Sequence, residues 1–236
     1  MKEEFSKKIT EKFKNFGKSL SDQQVQMFYD YYLLLIEWNQ KFNLTAITDI
    51  DDVIEKHFLD SVLPFNDFRE SNIIDIGAGA GFPSIPLKIM FPEIKLVMVD
   101  SVNKKVTFLN EVINRLQLKN TTAIHSRIED LANDKKFRHG FDACVCRAVA
   151  ALNVLSEYAL PFIKNGGHLY AYKSQNYIQE IEEAQKAIKI LGGKVEKTYI
   201  FDLNGNTRVL ISVLKTSPTP PKFPRGKNKP RLEPII

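Results

Sequence analysis

Three glycines in alternation, Gly77, Gly79 and Gly81, preceded by Asp75 and followed by Phe82 and Pro83, are the residues whose spacing most directly specifies chemistry. Ile73, Ile74 and Ile76 form the short apolar run of a strand covered on both faces. The glycines after it let the backbone approach a ligand where a side chain would intrude. Pro83 suits a first helical turn, where its missing amide hydrogen has no intrahelical partner to lose. A strand running into such a turn and a helix start reads as a nucleotide-type cofactor site, with mere punctuation as the bland alternative. The dinucleotide fingerprint is G-x-G-x-x-G, which sets a pyrophosphate on the helix N-terminus. Here the spacing is G-x-G-x-G with an acid two residues ahead, the usual pattern of S-adenosylmethionine enzymes. That ligand has no phosphate; its ammonium and ribose hydroxyls call for acceptors such as a carboxylate.

A second apolar run, Lys95 to Asp100, ends in an acid about twenty residues beyond the glycines, where a carboxylate grips ribose hydroxyls. Asp100 is the expected ribose ligand, and it also suits an N-cap for the helix that follows.

These motifs need a scaffold, and the 236-residue chain, 44% apolar, is long enough to supply one with a sizeable core. Its richest apolar stretch, Met27 to Trp38, is interrupted by Asp30 and Glu37, so no membrane span is expected. The first residues lack the apolar core of a secretory signal, which points to the cytoplasm. Cys144 and Cys146 alternate on one face of an apparent strand, a spacing that disfavours a disulfide; they read as small buried thiols. Four scattered histidines suggest no metal site. The formal charge is +5, and Lys222, Arg225, Lys227, Lys229 and Arg231 against Glu233 give the last 21 residues a net +4. Six prolines exclude a regular helix or central strand there. Charge alone favours a solvated, disordered terminus slightly over an extended basic arm for phosphates.

The first seventy residues read as helices over Phe5–Phe16, Ser21–Phe42 and Ile50–Leu63, with Ser21 and Gln24 as a capping box. Phe28, Tyr31, Tyr32, Leu35 and Trp38 fall at helical spacing and are expected to pack on the main domain. From Asn72 strands alternate with helices, near 73–76, 95–99, 121–125, 141–146 and 167–173, which predicts a doubly wound parallel sheet. Two strands without an intervening helix follow, near 194–201 and 208–214, joined at Asn204-Gly205. An antiparallel final strand separates a class I methyltransferase sheet from a nicotinamide domain. The expected division is 1–70 as a helical extension, 71–215 as an α/β S-adenosylmethionine-binding domain, and 216–236 as the basic arm.

With these residues in view, the chain resembles the RsmG (GidB) family of bacterial methyltransferases that modify guanine N7 in small-subunit 16S ribosomal RNA. The resemblance runs nearly end to end, through Asn43-Leu-Thr45, Lys56-His57-Phe-Leu-Asp60-Ser61, Gly77 to Pro86, Asp100-Ser101 with Lys104-Lys105, Arg127-Ile-Glu129, Cys146 to Ala150 and Phe223-Pro-Arg225. It implies cofactor contacts at Gly77, Gly79 and Phe82, at Ile128 and Glu129 beside the adenine, and at Arg147. Bland roles remain open: a helix cap for Glu129, packing for Phe82, an ion pair for Arg147. Ser84, Ile128 and Cys146 depart from the family's commoner glycine, smaller residue and serine.

Guanine N7 carries an in-plane lone pair and no proton, so the implied reaction is in-line displacement that needs no general base. No catalytic residue is assigned; positioning carries the rate. Lys56, His57, Arg225, Lys227 and Lys229 are candidate RNA contacts, and Lys173 suits a phosphate, the guanine O6 or plain solvent. The expected partner is 16S ribosomal RNA or the small-subunit particle, met by a monomer. Alternatives are a class I methyltransferase with another substrate and a nicotinamide-dependent oxidoreductase.

Overall fold

In the computed structural model, which describes residues 1–236, seven strands form one sheet in the order β3-β2-β1-β4-β5-β7-β6. They are β1 (Asn72–Ile76), β2 (Lys95–Asp100), β3 (Thr121–His125), β4 (Phe141–Arg147), β5 (Ile163–Lys173), β6 (Gly193–Leu203) and β7 (Asn206–Lys215). The first five are parallel, and β7 lies antiparallel between β5 and β6. This is the expected α/β architecture with an antiparallel last strand.

The two-residue period of the strands divides the core into two layers. Ile73, Ala143, Val145, Tyr170, Tyr172 and Leu210 face one side, with α1 (Lys2–Asn15), α2 (Asp22–Asn39), α5 (Ser84–Met90) and α6 (Asn103–Arg115). Ile74, Ile76, Cys144, Cys146, Leu169 and Ile211 face the other, with α7 (Ile128–Asn133), α8 (Leu152–Ala159) and α9 (Tyr177–Ile190). Both cysteines are free and buried, as their shared face predicts. Phe5, Ile9 and Phe13, four residues apart, lock α1 into the first layer; full burial of each contributes roughly 1.5–3 kcal/mol. The Ser21–Gln24 capping box opens α2. No helix is long and apolar enough to cross a membrane.

Two local features differ from the sequence expectation. The third helix is not regular: α3 (Ile50–Val53) widens through a π turn (Ile54–Leu59) into α4 (Asp60–Val62). Such turns insert one residue without disturbing the apolar period enough to be read locally, and they recur at functional sites. The second feature is the tail, which is neither an extended arm nor a solvated terminus. Arg138 donates to the carbonyls of Thr219 (3.0 Å) and Phe223 (2.8 Å). Lys215 Nζ reaches Leu191 O at 2.8 Å and also bonds Thr219, and burial pushes this amine down to about 7. Phe223 and Pro230 are buried against the domain. α10 (Lys229–Leu232) completes the tail.

Candidate active site

The carboxyl ends of β1, β2 and β4 surround a cavity of about 410 Å³ lined by Gly77, Asp100, Ile128, Glu129, Val149 and Arg231, among others. That volume and position suit a cofactor, since open α/β sheets bind ligands beyond their carboxyl edge. Gly77 turns there at φ +69°, and a Cβ on it would stand 3.0 Å from Val149 Cγ2. The loop is pinned from two directions. Asp100 accepts from Gly79 N and Val102 N, each at 2.9 Å, while the buried Tyr31 hydroxyl of α2 donates to Ala80 O. Asp100 therefore joins the loop to the next helix and still lines the cavity.

Asp75 lies beneath this loop, fully buried and without a well-formed hydrogen bond; the backbone and hydroxyl of Ser84 lie close enough to compensate it only in part. Burial pushes the Asp75 carboxyl up to about 7, against the opposing pull of Ser84 and Arg147. An under-satisfied carboxyl group under a glycine cradle, with Asp100 and Glu129 lining the cavity above it, fits a ligand rich in donors. S-adenosylmethionine has that character in its ammonium, ribose hydroxyls and adenine amine.

The structure thus brings Gly77, Asp100, Ile128 and Glu129 together, with Gly79 held behind them by Asp100. Phe82 and Arg147 belong to a neighbouring cluster. The Phe82 ring is stacked on His57 at 4.3 Å, and the Arg147 guanidinium sits 5.1 Å from its centroid. Arg147 donates to Asp60 Oδ2 (2.8 Å), Lys56 O (3.1 Å) and His57 Nδ1 (3.1 Å). Because a guanidinium only donates, His57 Nδ1 must accept, which leaves Nε2–H to donate to Thr45 Oγ1 at 2.9 Å. Burial, then the Arg147 charge, hold His57 down to about 3, so it is neutral.

This cluster borders a second cavity of about 500 Å³, whose wall includes Lys56, His57, Asp60, Arg147, Lys173 and Arg208. Ala148 lines both cavities and takes a left-handed φ of +57°, uncommon for a residue with a side chain. Lys173 is occupied, donating to Glu180 Oε2 (2.5 Å) and Ala150 O (2.7 Å).

Two of the expected RNA contacts are engaged within the protein itself. His57 carries no charge and has both ring nitrogens engaged inside the protein. Arg225 turns inward onto Glu157, which is 1% exposed, donating through Nε (2.9 Å) and Nη2 (2.7 Å). Lys227 and Lys229 remain exposed. Between them Asn228 accepts from the Tyr158 hydroxyl at 3.3 Å, and Arg231 donates to Val149 O at 3.0 Å. The tail thereby closes one side of the first cavity, a role that composition did not signal. Sequence reasoning also left Asp60 and Arg208 without a role. Asp60 stands one helical turn after His57 in a motif already singled out, but Arg208 carries no local signal.

Comparison with known proteins agrees with this architecture. A family model described as GidB, rRNA small subunit methyltransferase G, matches residues 24–210. The chain is 45% identical over 228 residues to ribosomal RNA small subunit methyltransferase G of Lachnoclostridium phytofermentans, covering 94% of each. It is 45% identical over 233 residues to the Staphylococcus aureus protein of the same name, covering 97% of each. Among solved structures, Pyrococcus horikoshii TYW2 in complex with MeSAdo aligns with TM-score 0.52 at 18% identity, over 69% of this chain and 63% of that one. A 16S rRNA (adenine(1408)-N(1))-methyltransferase from Catenulisporales acidiphilia aligns with TM-score 0.51 at 15% identity, over 64% and 87%. These structural likenesses show the class I methyltransferase fold, and the extent of the sequence match shows that the chain belongs to the GidB family, rRNA small subunit methyltransferase G.

Proposed function

We propose that this protein transfers a methyl group from S-adenosylmethionine to N7 of a guanine in 16S ribosomal RNA, acting as a monomer in the cytoplasm on the RNA or the small-subunit particle. The observation that carries the reading is the pairing of two adjoining cavities at Ala148, one rich in acceptors around the glycine loop and one open beside it. Asp100 and Glu129 would accept from the cofactor's ribose and adenine, and Asp75 would compensate its ammonium. When bound, the cofactor supplies an electrophilic methyl carbon.

The chain's own residues then have to hold a purine, exclude water and tolerate charge, and the second cavity suits all three. Its wall offers no free imidazole or amine: both His57 nitrogens are engaged and Lys173 is paired with Glu180. None is required, because N7 attacks with a lone pair that bears no proton. As the purine gains positive charge, the carboxylates of Asp60 and Glu180 on that wall stabilise it. Lys56, with 36% side-chain exposure, and the exposed Lys227 and Lys229 are the phosphate-facing candidates.

Mass spectrometry of nuclease fragments of ribosomal RNA from cells with and without the gene tests the proposal. One guanine in 16S RNA is expected to lose one methyl when the gene is removed. Unchanged fragments throughout would refute it.

A further inference from the structure

The second cavity contains one buried acceptor that the protein leaves incompletely satisfied. Asp60 has a side chain only 7% exposed, and its Oδ2 takes the Arg147 hydrogen bond at 2.8 Å. Its Oδ1 has no hydrogen-bonded partner. Arg208 Nε lies 3.2 Å from that oxygen, off the line a hydrogen bond needs, and the 27% exposed Arg208 side chain makes no other ion pair. The other charges on the wall are committed, Lys173 to Glu180 and Lys56 to Asp52.

Guanine presents N1–H and the exocyclic N2 amine side by side, a donor pair with the same N–C–N geometry as a guanidinium edge. Arg208 places one nitrogen of such an edge against Asp60 Oδ1 without completing the pair. Building on the proposed methyl transfer to guanine, we infer that Asp60 is the residue that reads the target base, accepting from its N1–H and N2–H edge as Arg208 moves aside. The displacement disrupts no well-formed hydrogen bond, and the incoming donors complete Oδ1, which now lacks one. Adenine has an acceptor at N1 and no amine at C2, so it would set a lone pair against the Asp60 carboxylate and leave the buried Oδ1 without a donor. With that edge anchored, N7 lies on the opposite side of the purine, away from Asp60. Asp60 is linked through Arg147 to Ala148, the residue common to both cavities.

The test compares 16S RNA lacking the methyl, ligated to carry either guanosine or inosine at the mapped target nucleotide. Inosine keeps N7, O6 and N1–H and lacks only the N2 amine. A hydrogen bond to a charged group is worth about tenfold or more, so wild-type kcat/KM should favour guanosine by at least that factor. Asp60→Asn keeps an acceptor oxygen but loses the charge, so its preference should fall at least about threefold below that of wild type. Both RNAs meet the same preparation, so the ratio does not depend on the fraction of variant that folds. The wild-type ratio decides alone if the variant is inactive. A wild-type preference below threefold, or an Asp60→Asn enzyme that keeps the wild-type preference, overturns the assignment. Methylation of the guanosine RNA without discrimination leaves the parent function standing, whereas no transfer to either RNA contradicts that function itself.

Discussion

Replacing Arg147 by methionine removes a part-buried cation while keeping most of the side chain's bulk. Asp60 then retains only the misaligned Arg208, 3.2 Å away, and stays 7% exposed. Breaking one side of a buried ion pair typically costs about 3–5 kcal/mol. Because Arg208 is near enough to compensate in part, the lower end applies, about 3 kcal/mol, or roughly 6–12 °C in melting temperature for a chain of this size. Thermal unfolding of the protein without cofactor at neutral pH measures it. Replacing both residues, Arg147→Met with Asp60→Leu, should recover most of the loss, since no uncompensated charge remains. His57 provides a second readout: with the Arg147 charge gone its nuclear magnetic resonance titration should move up from about 3. A single variant that melts within 2 °C of wild type, or a double variant as unstable as the sum of the two, would falsify the view that Arg147 stabilises a buried carboxylate.

Asp75 makes stability depend on pH in an uncommon direction. Its folded pKa of about 7 lies above the unfolded value of 3.8, so its contribution is fully present below about 4 and is lost as pH rises towards 7. The loss has an upper bound of roughly 4 kcal/mol. Asp75→Asn should therefore gain on wild type in urea denaturation as pH rises from 4.5 to 7.5 in the absence of cofactor; a pH-independent difference contradicts this. Asp100→Ala removes the acceptor of Gly79 N and Val102 N, and calorimetry should find S-adenosylmethionine binding weaker by at least about tenfold. Undiminished affinity would deny Asp100 its place in the site. Changing Lys227 and Lys229 together to alanine should spare that affinity and flatten the dependence of RNA binding on log salt by about 0.7–0.9 per lysine. An identical salt slope would show that neither contacts phosphate.

Much of this architecture was legible because local and tertiary signals agree. Ile73 to Gly81 spells strand, turn and helix start in one run, and the Asn204-Gly205 turn marks the β6–β7 hairpin that distinguishes this sheet. β5 starts at Ile163 rather than near 167 because Ile163 already pairs with Phe141; residues 164–167 then bulge without a partner, and pairing resumes at His168 opposite Ala143. A Cβ on Gly167 would stand 2.3 Å from Asp142 O, so the glycine serves close strand approach there. The folded tail was not legible, since Arg138, Glu157 and Tyr158 hold it from distant positions and proline content suggests an open chain. For the same reason the second cavity stayed hidden: Asp60 comes from an N-terminal helix and Arg208 from the last strand, and only the fold makes them neighbours.

The most direct test of guanine N7 methylation is to incubate purified protein with methyl-labelled S-adenosylmethionine and small subunits from cells that lack the gene, then to cleave the RNA with borohydride and aniline, which break the chain at N7-methylguanosine. One label per 16S RNA and one new cleavage at that nucleotide is the expected result. Label without cleavage would place the methyl on another atom, and no label at all would contradict transfer to this RNA.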